Sequence, residues 1–143
     1  MSGRQNVEGK KTVSPLESAE VISSYTRRQA IEDGVLVDVS HLAGEAGFRC
    51  PVALTHTVFD RHVRVPEDVP WQDQTGRLWD ILWMLKFAIG RVRNIQQEAP
   101  RELHFELFVQ NEPNTPKPVT LKALVGPGDN AEMVMTIMLP EED

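Results

Sequence analysis

Cysteine occurs once in this sequence, as Cys50, and tyrosine once, as Tyr25. A lone thiol excludes a framework of internal disulfides and fits a reducing compartment. No apolar run reaches the ~20 residues that a bilayer-spanning helix needs, because Asp80 and Lys86 interrupt the richest stretch. The opening residues, MSGRQNVEGKKTV, lack the apolar core of a secretion signal, so a cytoplasmic location is expected. Basic charge is not in surplus either. The net charge of −6 works against a general affinity for nucleic acid and is too scattered to mimic DNA. No GxxxxGKS/T, no GxGxxG after a strand, and no GxSxG, HExxH or CxxC occurs. The strongest signals for a phosphate loop, a nucleophile elbow and a zinc site are therefore missing, and no cofactor is expected. What remains is one domain of 143 residues, long enough to bury about two-thirds of its unfolded surface.

The densest apolar stretch is Thr75–Ile95, TGRLWDILWMLKFAIGRVRNI, with two of the three tryptophans. At 100° per residue, Leu78, Ile81, Leu82, Leu85, Ala88, Ile89 and Val92 share one face, which predicts a long helix. Thr75 is its expected N-cap, and Asp80, Arg91 and Arg93 suit the ends of its dipole. A second stripe, Trp79, Trp83 and Phe87, recurs at every fourth residue. A helix apolar on two faces is usually sandwiched between layers, so the default expectation is core on both sides. The sharper alternative is that these aromatics meet a partner protein or a second copy of the chain.

Residues 1–13 are polar and slightly basic and read as a disordered arm; 14–143 reads as a single domain. Ser14, Pro15 and Glu17 have the spacing of a capping box and open a short helix through Leu16, Ala19, Val21 and Ile22. Thr26 and Gln29 repeat that grammar, with Gly34 as the stop. Val35–Val39 is short and β-branched, a buried strand or extended segment. Ser40 is the expected cap of a helix ending at Gly47, and Pro51 the opening of another, PVALTHTVFDRHV. RVPEDVPWQDQ, residues 64–74, is a loop packed by Trp71, and the central helix is expected to end in the stretch before Pro100.

After Pro100 the apolar period becomes two. Leu103, Phe105, Leu107 and Val109 alternate with His104, Glu106 and Phe108; Val119, Leu121, Ala123 and Val125 with Thr120, Lys122 and Leu124; and Met133, Met135, Ile137 and Leu139 with Glu132, Val134, Thr136 and Met138. The expected fold is α+β, with short N-terminal helices, one long central helix and a C-terminal three-stranded antiparallel meander. Val35–Val39 or His62–Val65 is the candidate for a fourth strand, and Glu141–Asp143 a solvated tail.

The residues Tyr25-Thr26-Arg27, Gln29-Ala30-Ile31, Asp33 to Asp38, Ala46-Gly47-Phe48, Pro51 to Thr55 and Leu78-Trp79-Asp80 carry a resemblance. Over residues 25–140 the chain resembles a family of small bacterial proteins of unknown function, carried largely on plasmids, integrative elements and phages. The resemblance implies a mobile-element setting and supplies no activity.

Three sets of polar residues invite a chemical reading. His56, Asp60 and His62 lie on or beside one expected helix, the first two four apart, a spacing a metal site can use; exposed helix polar groups are the plainer account. Asp38 sits in an apolar run where an unpaired carboxylate would be costly. Arg27, Arg28 or Arg49 could pair with it, either as a structural ion pair or cap, the favoured account, or as a polar hub with Tyr25, Thr26 and Trp71. Arg27, Arg28, Arg49, Arg61 and Arg64 would form a nucleic-acid patch only if one face gathered them. Cys50 before a helix would have a somewhat lowered thiol pKa, but no histidine partner is apparent and an inert, partly buried thiol is the favoured reading. The favoured expectation is a non-enzymatic interaction protein, an accessory factor of a bacterial mobile element that binds a protein or itself. The alternatives are a small metal-dependent hydrolase using His56, Asp60 and His62, or a DNA-binding regulator.

Overall fold

In this computed structural model, which describes residues 25–96 and 100–143, local order starts with a reciprocal cap. The Gln29 N–H donates to the Thr26 hydroxyl at 3.0 Å and the Thr26 N–H to Gln29 Oε1 at 2.9 Å, opening helix α1 (Arg27–Glu32). Gly34, at φ +81°, turns the chain into strand β1 (Leu36–Asp38). Helix α2 (Ser40–Glu45) follows and is closed by Gly47 at φ +102°. Ser40 is not its cap. The Ser40 hydroxyl donates to Asp38 Oδ1 at 2.6 Å and accepts the Val52 N–H at 3.0 Å, tying β1 to the next strand. The arm expected at 1–13 and the capped helix expected from Ser14 lie outside the described residues, as do 97–99.

The helix expected from Pro51 is overturned at its start. Val52–Thr55 is strand β2, and Val52, Ala53 and Leu54 are all fully buried. Three successive buried residues suit a strand covered on both faces, and an amphipathic helix cannot hide all three. A single turn, α3 (His56–Val58), then widens into a π-helical turn (Phe59–Val63), closed by the Arg64 N–H on the Phe59 carbonyl at 2.8 Å. The wide turn buries both Val58 and Val63, so His62–Val65 adds no strand. Helix α4 (Gln74–Gln96) is the long central helix. Asp73, not Thr75, caps it, accepting the Gly76 N–H three residues on.

Strands β3 (Glu102–Gln110), β4 (Pro116–Pro127) and β5 (Met133–Met138) complete the chain. Among the described residues the sheet has five strands in the order β1-β2-β5-β4-β3, with β2 parallel to β5 and every other neighbour antiparallel. The α+β class holds, but the three-stranded antiparallel sheet is overturned: β2 pairs with the free side of β5 and brings β1 with it. The core lies between α4 and one face of this sheet. Ile81, Leu82 and Leu85 meet Leu54, Leu121 and Ile137 there, all six at 0% exposure.

The second sheet face is also partly covered. Arg27 donates to Thr136 Oγ1 at 2.7 Å and to the Met135 carbonyl at 2.9 Å, laying α1 on β5. Asp129, in the β4–β5 connection, accepts the Arg27 and Arg28 N–H groups at 2.8 and 3.0 Å and so secures the start of α1. Glu142 is not a free acidic end: its Oε1 accepts the Thr55 hydroxyl at 2.8 Å and the Leu139 N–H at 2.7 Å. This cover explains why Val134 and Met138 are buried although the alternation assigns them outward.

Candidate partner-binding face

The aromatic stripe of α4 is a ladder. Trp79 and Trp83 meet edge to face, centroids 5.7 Å apart at 74°, and Trp83 and Phe87 are 6.2 Å apart at 44°. Burial falls along it. Trp79 packs on the core, Trp83 is half-buried outside the core cluster, and Phe87 is 64% exposed. The default of core on both sides therefore fails beyond Trp79. Lys86 holds the ladder from the side, its Nζ 4.8 Å from the Trp83 ring centre and donating to the Ala46 carbonyl at 2.7 Å.

Beside the ladder, a groove of about 490 Å³ runs between α4 and β3, lined by Asp80, Trp83, Met84, Arg91, Phe108 and Pro118. Met84 and Phe108 are exposed at its walls. Burial raises the pKa of the Asp80 carboxyl. Sequence reasoning found the ladder but missed Met84 and Phe108, which alternate with neighbours of mixed character and become adjacent only when α4 lies on β3.

A smaller polar pocket continues from Asp80 and Phe108 to His62, Gln72 and Arg77. His62 Nδ1 is buried without a hydrogen-bond partner among the described residues, and burial, then Arg61 and Arg77, depresses the imidazole pKa. Because the folded value lies below the unfolded one, the unfolded chain binds a proton first as pH falls. Stability is therefore expected to drop on acidification through the imidazole range. Denaturant midpoints at about pH 7.5 and about pH 5.5 should differ less in His62→Gln than in the wild type. An equal difference in both would remove His62 from the pH response.

The other residues singled out in the sequence disperse. Asp38 is exposed and engaged by Ser40; Tyr25 donates to Asp33 Oδ2 at 2.6 Å, which raises the phenol pKa; Trp71 is 63% exposed in the loop before α4. Arg27 feels the charge of Asp38 but hydrogen-bonds to β5, so the four do not form a hub. Asp60 pairs with Arg64 at 2.9 Å, and His56 is exposed. Among the described residues no group of three or more His, Cys, Asp or Glu is placed to hold a metal ion. Of the arginines that a basic patch would need, Arg28 lies near Glu32 at 3.5 Å, Arg64 is on Asp60 and Arg27 is bonded to β5. Cys50 precedes a strand instead of a helix, and burial raises its thiol pKa.

A cavity of about 900 Å³ opens on the sheet face away from α4, across Leu36, Thr55, Val134 and Thr136. Of its charged lining groups, Arg27 is bonded to β5, Glu142 to Thr55, Asp33 to Tyr25 and Glu102 to His104. The groove beside the ladder, with its exposed aromatic wall, is the better candidate. Among the described residues no helix is long and apolar enough to cross a membrane.

No curated protein and no solved structure matches this chain. A family does, over residues 13–143, and the chain belongs to it: the family of unknown function DUF6573.

Proposed function

We propose that this chain is a non-enzymatic binding module, an accessory factor of a bacterial mobile element, and that the exposed face of α4 is where it holds a protein. The observation that carries this reading is a set of exposed apolar side chains along α4 and its groove: Phe87 at 64% stacks beside half-buried Trp83, and Met84 at 39% and Phe108 at 70% stand on the groove walls. Exposed aromatics set beside a groove are the kind of anchor that supplies most of the energy of protein interfaces. The mobile-element setting rests on the resemblance of residues 25–140 to plasmid- and phage-borne proteins.

The test is affinity capture from the native host with wild-type protein and Phe87→Ser. Phe87 is too exposed to matter to folding, so the variant should retain stability within about 0.5 kcal/mol. A protein retained by the wild type and lost with the variant supports this face. An unchanged set of captured proteins overturns it.

A further inference from the structure

Asp80, Met84, Phe87 and Arg91 recur at intervals of four, three and four, so they form one narrow stripe down α4, about 16 Å long. This is the seam spacing of paired helices. All four are exposed: Met84 and Phe87 are at 39% and 64%, and both charged residues stand out from the core. An acid stands at one end, a base at the other, and two apolar side chains lie between. Turned end for end, the stripe is its own complement.

We propose that α4 packs antiparallel against α4 of a second copy of this chain, about a two-fold axis crossing the helix between Leu85 and Lys86. In that arrangement each Asp80 carboxylate faces the other copy's Arg91 guanidinium, and each Met84 packs on the other copy's Phe87. A two-fold interface needs such a self-complementary patch, since every contact is made twice. A parallel pairing would set Asp80 against Asp80 and Arg91 against Arg91. Asp80 lies in the groove where burial already disfavours its charged form, so a facing guanidinium relieves that burial penalty. Among the described residues neither Asp80 nor Arg91 takes part in an ion pair that would compete. Trp83 and Phe108 then become the margins of the seam.

The inference rests on the reading of this face as a docking surface and names its occupant. It is tested by sedimentation of the full chain from about 1 to 100 µM, with circular dichroism to confirm folding of each variant. The wild type is expected to dimerise. Asp80→Arg and Arg91→Asp each set like charges against one another, and each should weaken the dimer at least about tenfold. The double variant Asp80→Arg/Arg91→Asp should restore it, because the exchanged charges again face opposite partners. A wild type that stays monomeric overturns the proposal, as do single variants that leave the dimer unchanged or a double variant that fails to restore it. A monomer that still retains a host protein through Phe87 overturns the second copy alone and leaves the docking face standing. A dimer indifferent both to the charge changes and to Phe87→Ser, together with host-protein capture unchanged by Phe87→Ser, overturns the two together.

Discussion

Replacement of Arg77 by leucine is expected to cost about 3–5 kcal/mol of folding stability, read as a shift in the denaturant midpoint at unchanged slope. Arg77 is 6% exposed. Its Nε donates to Gln72 Oε1 at 2.8 Å, and its terminal nitrogens donate to the Arg64 carbonyl at 3.2 Å, to Asn111 Oδ1 at 2.9 Å and to the Gln110 carbonyl. One guanidinium thus holds the end of the π-helical turn, the loop before α4 and the end of β3 together. None of these acceptors is a carboxylate, and burial lowers the Arg77 pKa, so the charge is stabilised by aligned neutral dipoles alone. Leucine fills much of the volume but leaves four acceptors without a donor. Arg77→Lys should recover little, since one ammonium cannot span a fork of acceptors set for a planar group. A loss under about 1 kcal/mol for Arg77→Leu would mean that water replaces these contacts freely.

Leu85→Ala is expected to cost about 3–5 kcal/mol, the range for a large aliphatic side chain removed from a closed core. Leu85 is at 0% exposure within the cluster formed by Ile81, Leu82, Leu121 and Ile137. Phe87, two residues on, faces the opposite way, and its change to serine should be close to neutral. The contrast is the informative measurement. Comparable losses at the two positions would show that α4 is covered on both sides and would remove the docking face.

What was legible in the sequence was whatever a short-range period or cap determines. Leu78 to Val92 at helical spacing gave α4, Thr26 with Gln29 gave the cap of α1, and Leu103 to Val109 at period two gave β3. The misreadings arise where a distant partner decides. Val52–Thr55 follows a proline in a stretch that reads equally well as a helix, and it is a strand because β1 lies on one side of it and β5 on the other. Ser40 has the chemistry of a cap, yet its hydroxyl is drawn to Asp38 and Val52 by that same pairing. Within the candidate site, the ladder was visible as a spacing, whereas its degree of burial was not. Whether Trp83 and Phe87 face core or solvent depends on how many layers the chain can supply. The single sheet is already occupied on that side by Leu82 and Leu85. Arg77 left no signal, because its acceptors come from residues 5 to 34 positions away.

The strand order has a consequence for how the molecule is made. β5 is the last of the five strands to be synthesised, yet it stands in the middle of the sheet, and β1–β2 and β3–β4 meet only through it. Until it emerges from the ribosome, two half-sheets coexist, each with a bare, hydrogen-bond-hungry flank of the kind that recruits stray strands. Closure then joins residues that lie more than eighty positions apart, which makes it the slow, long-range step of folding.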